Sequence, residues 1–162
     1  MKAIIMAGGK GTRFTPLKPL VEVCGLPSYY RVYQVARMFA EEVFLAITNS
    51  SPLIFSALSK IITEGRGYEM DVYEAVKKVG IPTLVFPADT PIIPIDAVEI
   101  LISSCEADIC SLKNHGDYVG ISLWRGFNTS NYQDVEYSSS KIYNVNTYED
   151  YVRVNYLCRI GV

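Results

Sequence analysis

The sequence predicts an α/β fold: a mainly parallel sheet with helices on both faces, three layers in all. Two features carry that reading. Short runs rich in Ile, Val and Leu alternate with longer segments of helical apolar period, the pattern of strands joined by crossover helices. The first of those runs also leads straight into Ala7-Gly8-Gly9-Lys10-Gly11-Thr12-Arg13, a glycine-rich turn where a strand hands over to a helix.

In chain order, Lys2–Met6 reads as the first strand, an apolar run of buried type. Tyr29, Val32, Tyr33, Val35, Ala36 and Phe39 recur at helical spacing, and 43–47 is the next buried-type strand. Residues 53–62 read as a second helix, opened by Ser50-Ser51-Pro52 and broken by Glu64-Gly65-Arg66-Gly67. Tyr68, Val72, Ala75, Val76 and Val79 mark a third helix that Gly80 ends, and 83–86 follows as a strand. Asp96 is the expected cap of a helix through Ala97, Ile100, Leu101 and Ser104. Residues 108–112 and 118–124 read as strands, 126–134 as a polar loop and 142–145 as a last strand. Thr147 opens the terminal helix, with Asp150 completing a capping box in its acidic variant.

A chain of 162 residues is expected to be one domain spanning 1–162, long enough to bury a substantial core. Hydrophobic residues make up 49% and charged residues 20%, which excludes a disordered chain. The net charge of −2 argues against nucleic acid as a partner. No apolar run approaches membrane-spanning length, and strand residues directly after Met1 leave no room for a signal peptide. The expected location is therefore the cytoplasm. The four cysteines, Cys24, Cys105, Cys110 and Cys158, lack zinc-ligand spacing and are expected to be reduced and mostly buried. Twelve tyrosines offer material for a homodimer interface or a plain surface.

The chemistry starts at the glycine turn. Gly8, Gly9 and Gly11 remove side chains where a polyanion must approach the backbone, and Lys10, Arg13 and Lys18 add cations within one short segment. The spacing is not a Walker A loop, which needs Gly-Lys followed by Ser or Thr. Nor is it a dinucleotide fingerprint, because Gly9-Lys10-Gly11-Thr12-Arg13 runs into bulky Phe14. Ligands of open α/β sheets sit beyond the carboxyl ends of the strands, where Pro87-Ala88-Asp89-Thr90-Pro91 also falls. Asp89, opposite a phosphate loop, is well placed to hold Mg²⁺, although Asp between prolines also suits a plain turn. His115, in Asn114-His115-Gly116-Asp117, reads as a surface turn residue.

The run Ile4-Ile5-Met6-Ala7-Gly8-Gly9-Lys10-Gly11-Thr12-Arg13, then Lys18-Pro19-Leu20 and Val23-Cys24-Gly25, resembles the opening of nucleotidyltransferases with the Rossmann-like, nucleotide-diphospho-sugar transferase type of fold. Within that MobA-like superfamily the chain most resembles the archaeal GTP:adenosylcobinamide-phosphate guanylyltransferases, followed by the molybdenum-cofactor guanylyltransferases. Thr63-Glu64-Gly65-Arg66-Gly67-Tyr68 resembles the family's S-G-K-G-Y segment, with Arg66 in place of its Lys and Asp71 as the following acid. Asn144-Val145-Asn146-Thr147 resembles its N-x-N-T segment.

The resemblance implies transfer of GMP from GTP to adenosylcobinamide phosphate, with release of pyrophosphate. It implies that Ala7, Gly8, Gly9, Lys10, Gly11, Thr12, Arg13 and Lys18 bind the triphosphate. Glu64, Gly65, Arg66 and Gly67 would serve base or ribose, and Gly120 and Asn144 complete the nucleotide-binding set. Arg13, Lys18 and Asp89 are the expected catalytic residues, with Mg²⁺ on Asp89 and Asn146. Asn144 and Asn146, alternate residues of an expected strand, should share a side. The match fails in part at Gly120-Ile121-Ser122, where the family has Asn in place of Ser122, and 125–134 has no clear counterpart. The acceptor half is accordingly open. Guanylyl or cytidylyl transfer to a molybdopterin, nucleotidyl transfer to a sugar phosphate, and an inactive nucleotide-binding regulatory module are the alternatives.

Glu64 could accept from the N1–H and N2 amine of guanine, a pair that adenine does not offer. Replacing Glu64 with Ala is expected to erode the preference for GTP over ATP, as read by calorimetric titration of both nucleotides.

Overall fold

Strand β1 (Lys2–Met6) is the axis of a seven-stranded sheet of order β5-β4-β1-β6-β8-β7-β9. This computed structural model describes residues 1–8 and 17–160. β1 is flanked in parallel by β4 (Glu42–Ile47) and β6 (Thr83–Pro87), and β5 (Ser59–Ile62) extends the parallel half. β8 (Asp117–Trp124) runs antiparallel between β6 and β7 (Ile109–Asn114), and β9 (Tyr132–Tyr137) closes the far edge parallel to β7. A short hairpin of β2 (Glu22–Val23) and β3 (Leu26–Pro27) stands apart from this sheet.

Side chains of β1 alternate between two cores, as the period of a strand requires. Ala3 and Ile5 join α1 (Ser28–Arg37) and α3 (Ile95–Ser104) through Val32, Ala36, Ala97, Val98 and Leu101. Ile4 and Met6 face α2 (Tyr68–Val79) through Val72, Ala75 and Val76. The sheet is thus mainly parallel, with helices on both faces. The last helix, α4 (Tyr148–Arg159), packs through Val154 on Val23 and Val145, which ties it to the hairpin. No helix among the described residues is long and apolar enough to cross a membrane.

Several expectations are corrected. Residues 53–62 are not a helix: Pro52–Phe55 forms one 3-10 turn, capped by the Ser51 hydroxyl, and β5 follows. Four residues, Ser59-Lys60-Ile61-Ile62, are too few to distinguish a strand from a helical segment, and pairing with β4 decides it. The expected loop 126–134 contains the start of β9, whose polar outer face hid the strand. Residues 142–145 make only an isolated bridge, Ile92 with Tyr143. Pro94 is the cap of α3, and Asp96 instead accepts a 2.8 Å hydrogen bond from the Tyr137 hydroxyl. The cysteines are not separate thiols: Cys24 pairs with Cys158, and Cys105 with Cys110, as disulfides. The first pair is 134 residues apart, so only the docking of α4 on the hairpin brings it together. The Thr147–Asp150 capping box and the His115 turn (φ 51°) form as expected.

Buried Asn114 joins the end of β7 to the chain that leads back to α4. Its amide donates to the carbonyls of Tyr137 (2.8 Å) and Ser140 (2.9 Å), and its carbonyl accepts from the Ile142 amide at 3.0 Å. Asn114→Ala would strand these groups and is expected to cost about 2–4 kcal/mol in urea unfolding.

Candidate active site

Three segments meet beyond the carboxyl ends of β1 and β6. Asp89 follows β6, where the Ala88 amide donates to Met6 (2.9 Å) and the buried Ser28 hydroxyl donates to the Ala88 carbonyl (2.7 Å). Lys18 opens a 3-10 turn, Lys18–Leu20, anchored by buried Pro19. Asn146 immediately precedes the capping box of α4, and its amide donates to the Asp150 carboxylate at 3.0 Å. The Val145 amide donates to the Asp89 carbonyl at 2.7 Å, locking the Asn146 segment against the β6 segment.

The Lys18 ammonium lies between the other two side chains, 3.0 Å from Asp89 Oδ2 and 3.3 Å from Asn146 Oδ1. Asp89 Oδ1 accepts in turn from the Thr90 hydroxyl at 3.4 Å. The ion pair is partly buried, with side-chain exposures of 20% and 25%, so solvent screens it less than a surface pair. A carboxylate oxygen and an amide oxygen therefore converge on one cationic centre. Lys18, Asp89 and Asn146 thus come together at one point.

A second cluster surrounds the turn before α2. The carboxylate of Asp71, itself only 6% exposed, accepts from the amides of Gly65 and Arg66, each at 3.1 Å. Glu74 accepts from the Glu64 amide at 3.2 Å. A hydrogen bond from Lys78, then this amide, hold the Glu74 carboxyl below its ordinary pKa. The Glu64 carboxylate forms an ion pair with Arg66. Gly65 takes φ 76°, and a Cβ there would lie 3.2 Å from Thr48 Cγ2. A Cβ on Gly8 would meet the same methyl at 3.5 Å, so Thr48 stands between the two glycine segments.

The other expected site residues are dispersed. Ala7 is buried, its amide donating to Ala46 at 2.8 Å. Asn144 and Asn146 do not share a function-bearing side as strand neighbours would. Asn146 faces Lys18, while Asn144 lines an adjoining hollow of about 430 Å³ with Thr90 and Lys141. Gly120 takes φ 80° beside Pro87, and its carbonyl accepts from the Tyr68 hydroxyl at 2.6 Å. Gly9, Lys10, Gly11, Thr12 and Arg13 lie outside the described residues. Tyr68, expected on an apolar helix face and as the last residue of the segment resembling S-G-K-G-Y, was not among the expected site residues. Tyr68 is 45% exposed as a residue, but desolvation around its hydroxyl, which donates to Gly120, and then the Asp89 charge raise its phenol above the ordinary pKa. Its place directly after Gly67 was the available signal.

The MobA-like NTP transferase domain matches residues 3–136, a span that contains the glycine turn, the Asp71-pinned loop and Asp89. The chain belongs to this nucleotidyltransferase family. It is similar to the adenosylcobinamide-phosphate guanylyltransferase of Methanocaldococcus jannaschii, 32% identical over 101 residues covering 55% of this chain and 52% of that protein. The match thus spans about half the length of that curated relative. Among solved structures, the molybdopterin-guanine dinucleotide biosynthesis protein A of Archaeoglobus fulgidus superposes with TM-score 0.74 at 16% identity, over 99% of this chain and 100% of that one. The Rv0371c protein of Mycobacterium tuberculosis H37Rv, in complex with manganese, gives TM-score 0.71 at 14% identity, over 96% and 97% of the two chains. At such identities the likeness establishes the fold.

In this family member, Asp71 is the residue that holds the 64–67 turn in shape. Asp71→Ala is expected to cost about 1–3 kcal/mol of stability, because two backbone amides lose their buried carboxylate acceptor. Asp71→Asn, which keeps an acceptor oxygen, should lose less, and urea unfolding of both variants checks the order.

Proposed function

We propose that the protein transfers GMP from GTP to adenosylcobinamide phosphate in the cytoplasm and releases pyrophosphate. The observation that carries this reading is the convergence of Lys18, Asp89 and Asn146 at the carboxyl end of the parallel strands, beside the segment that begins the glycine turn. An acceptor phosphate oxygen attacks the α-phosphorus as the bond to the β-phosphate oxygen breaks, and the bonding electrons leave with pyrophosphate. Such a displacement needs alignment and charge neutralisation, and an ionised phosphate nucleophile needs no general base.

The glycine turn with Lys10 cradles the triphosphate in this proposal. Arg13 and Lys18 offset charge on the α-phosphate and the leaving group. The 64–67 turn, held rigid by Asp71 and Glu74, borders the base. The oxygens of Asp89 and Asn146 suit Mg²⁺, a hard cation that takes carboxylate, amide and phosphate oxygens. Their convergence on the Lys18 ammonium marks a point that already favours positive charge. Among the described residues no three His, Cys, Asp or Glu side chains gather as a metal cluster, so phosphate oxygens would complete the ligand set. When bound, the ion neutralises phosphate oxygens as charge develops on them. With the ion held there, the Lys18 ammonium would give up these oxygens and present itself to phosphate.

Incubation with GTP, Mg²⁺ and adenosylcobinamide phosphate is expected to release pyrophosphate. Release with a molybdopterin or a sugar phosphate alone would replace the acceptor. GTP binding without turnover on any acceptor would leave a regulatory module. Lys18→Met is expected to lower kcat by about 10²–10³ with a smaller effect on GTP affinity, as loss of a preorganised charge-stabilising group does.

A further inference from the structure

A disulfide joins the two segments that carry Lys18 and Asn146. The Val21 amide donates to the Lys18 carbonyl at 3.2 Å, which ties the Lys18 turn to the β2–β3 hairpin. Cys24, at the bend of that hairpin, pairs with Cys158 near the end of α4, their Cα atoms 5.7 Å apart. α4 opens at its capping box, where the Asp150 carboxylate also accepts from the Asn146 amide. The Lys18 ammonium, 3.3 Å from Asn146 Oδ1, closes the circuit.

Little else holds α4 in place. Of its twelve residues only Val154 is buried, against Val23 and Val145 in a small cluster apart from the two cores of the sheet. α3, by contrast, buries Ala97, Val98 and Leu101 in the main core. Tyr148, Val152 and Tyr156 of α4 stand exposed. An element with so few buried contacts opens locally at low cost, and a cross-link over 134 residues removes most of its open states. The covalent link therefore decides whether α4 stays docked. The second disulfide is of another kind: Cys105 and Cys110 are buried and only 5 residues apart. Cys24 and Cys158 are half-buried, within reach of a small thiol. In the compartment proposed above disulfides are rare, and those that form are usually catalytic or redox-sensing.

We infer that Cys24–Cys158 is a reversible redox latch on the site. The thiolate of a low-molecular-weight thiol attacks one sulfur, the S–S bond breaks, and the other cysteine leaves as a thiolate that takes up a proton. A second small thiol then displaces the first from the mixed disulfide. The protein ends with two thiols, and the two small thiols leave joined as a disulfide; the reverse reaction with that small disulfide closes the latch. Closed, the latch keeps α4 docked and Asn146 against Lys18. Open, it lets α4 undock and draws Asn146 away from the ammonium, so nucleotide binding weakens. That last step rests on the nucleotidyl-transfer reading; the release of α4 does not.

The test compares the full chain equilibrated with oxidised glutathione and the same chain reduced with dithiothreitol. The double variant Cys24→Ser/Cys158→Ser serves as a permanently open form, and the parent's own two states decide the matter if that variant does not fold. As dithiothreitol is raised, alkylation with peptide mass mapping is expected to label Cys24 and Cys158 before Cys105 and Cys110. On reduction, hydrogen exchange at the amides of 148–159 should quicken about tenfold or more while β1 and β4 hold. Calorimetry with Mg²⁺–GTP should find affinity lowered about fivefold or more. Oxidised glutathione should restore both, and the folded double variant should match the reduced parent in either reagent. Equal exchange over 148–159 in the two redox states would overturn the inference. So would a free Cys24 and Cys158 after oxidised glutathione, or a redox response that survives in the double variant. Faster exchange with unchanged GTP affinity would overturn it too, because the latch then fails to reach the site. If GTP binds in neither redox state, the transfer reading fails, and hydrogen exchange still decides whether the disulfide controls α4.

Discussion

The Lys18 ammonium is shared between the Asp89 carboxylate and the Asn146 amide, and this one contact joins segments far apart in the chain. The backbone around it is arranged to sustain it. Asp89 sits on a strand end stitched to β1, the Val145 amide holds the Asn146 segment to Asp89, and the capping box of α4 fixes the amide before Thr147. The hairpin that follows Lys18 is clamped to α4 by Val23, Val145 and Val154, by the Cys24–Cys158 disulfide, and by Asn155, which accepts from the Cys24 amide at 3.1 Å. Removing any of these would move a charge partner without touching the charges themselves.

The sheet divides its labour along the same line. Its parallel half is apolar on both faces because helices cover both. Its mixed half alternates buried and open residues because α3 covers one face throughout, while α2 reaches the other only at Trp124 and Ile109. Tyr68 stands at the boundary, on the first turn of α2 with its hydroxyl on the Gly120 carbonyl. The loop pinned by Asp71 and strand β8 therefore flank one helix terminus.

Much of the fold was legible in the sequence. β1, the period of α1 and α2, the Gly80 stop and the Thr147–Asp150 cap are local patterns, set by side-chain alternation, helical spacing and short-range hydrogen bonds. Residues 53–62 and 126–134 misled for the same physical reason. A short apolar run has no period of its own, and an edge strand with a polar face has no continuous apolar signal, so pairing with a neighbour decides both.

The same division holds at the site. Lys18 and Asp89 stand in segments marked by glycine and proline, whereas Asn146 was expected from the resemblance of Asn144-Val145-Asn146-Thr147 to the family's N-x-N-T segment. The glycine-rich motif after β1, most of which lies outside the described residues, and the acidic residue after Gly67 are read from the sequence alone. Only the tertiary structure decided that Asp71 binds the amides of Gly65 and Arg66, that Tyr68 reaches Gly120, and that the four cysteines pair. Local pattern specifies backbone conformation over a few residues. Which side chains then share a dielectric environment depends on strand order and helix placement, and those follow from the burial of the whole chain at once.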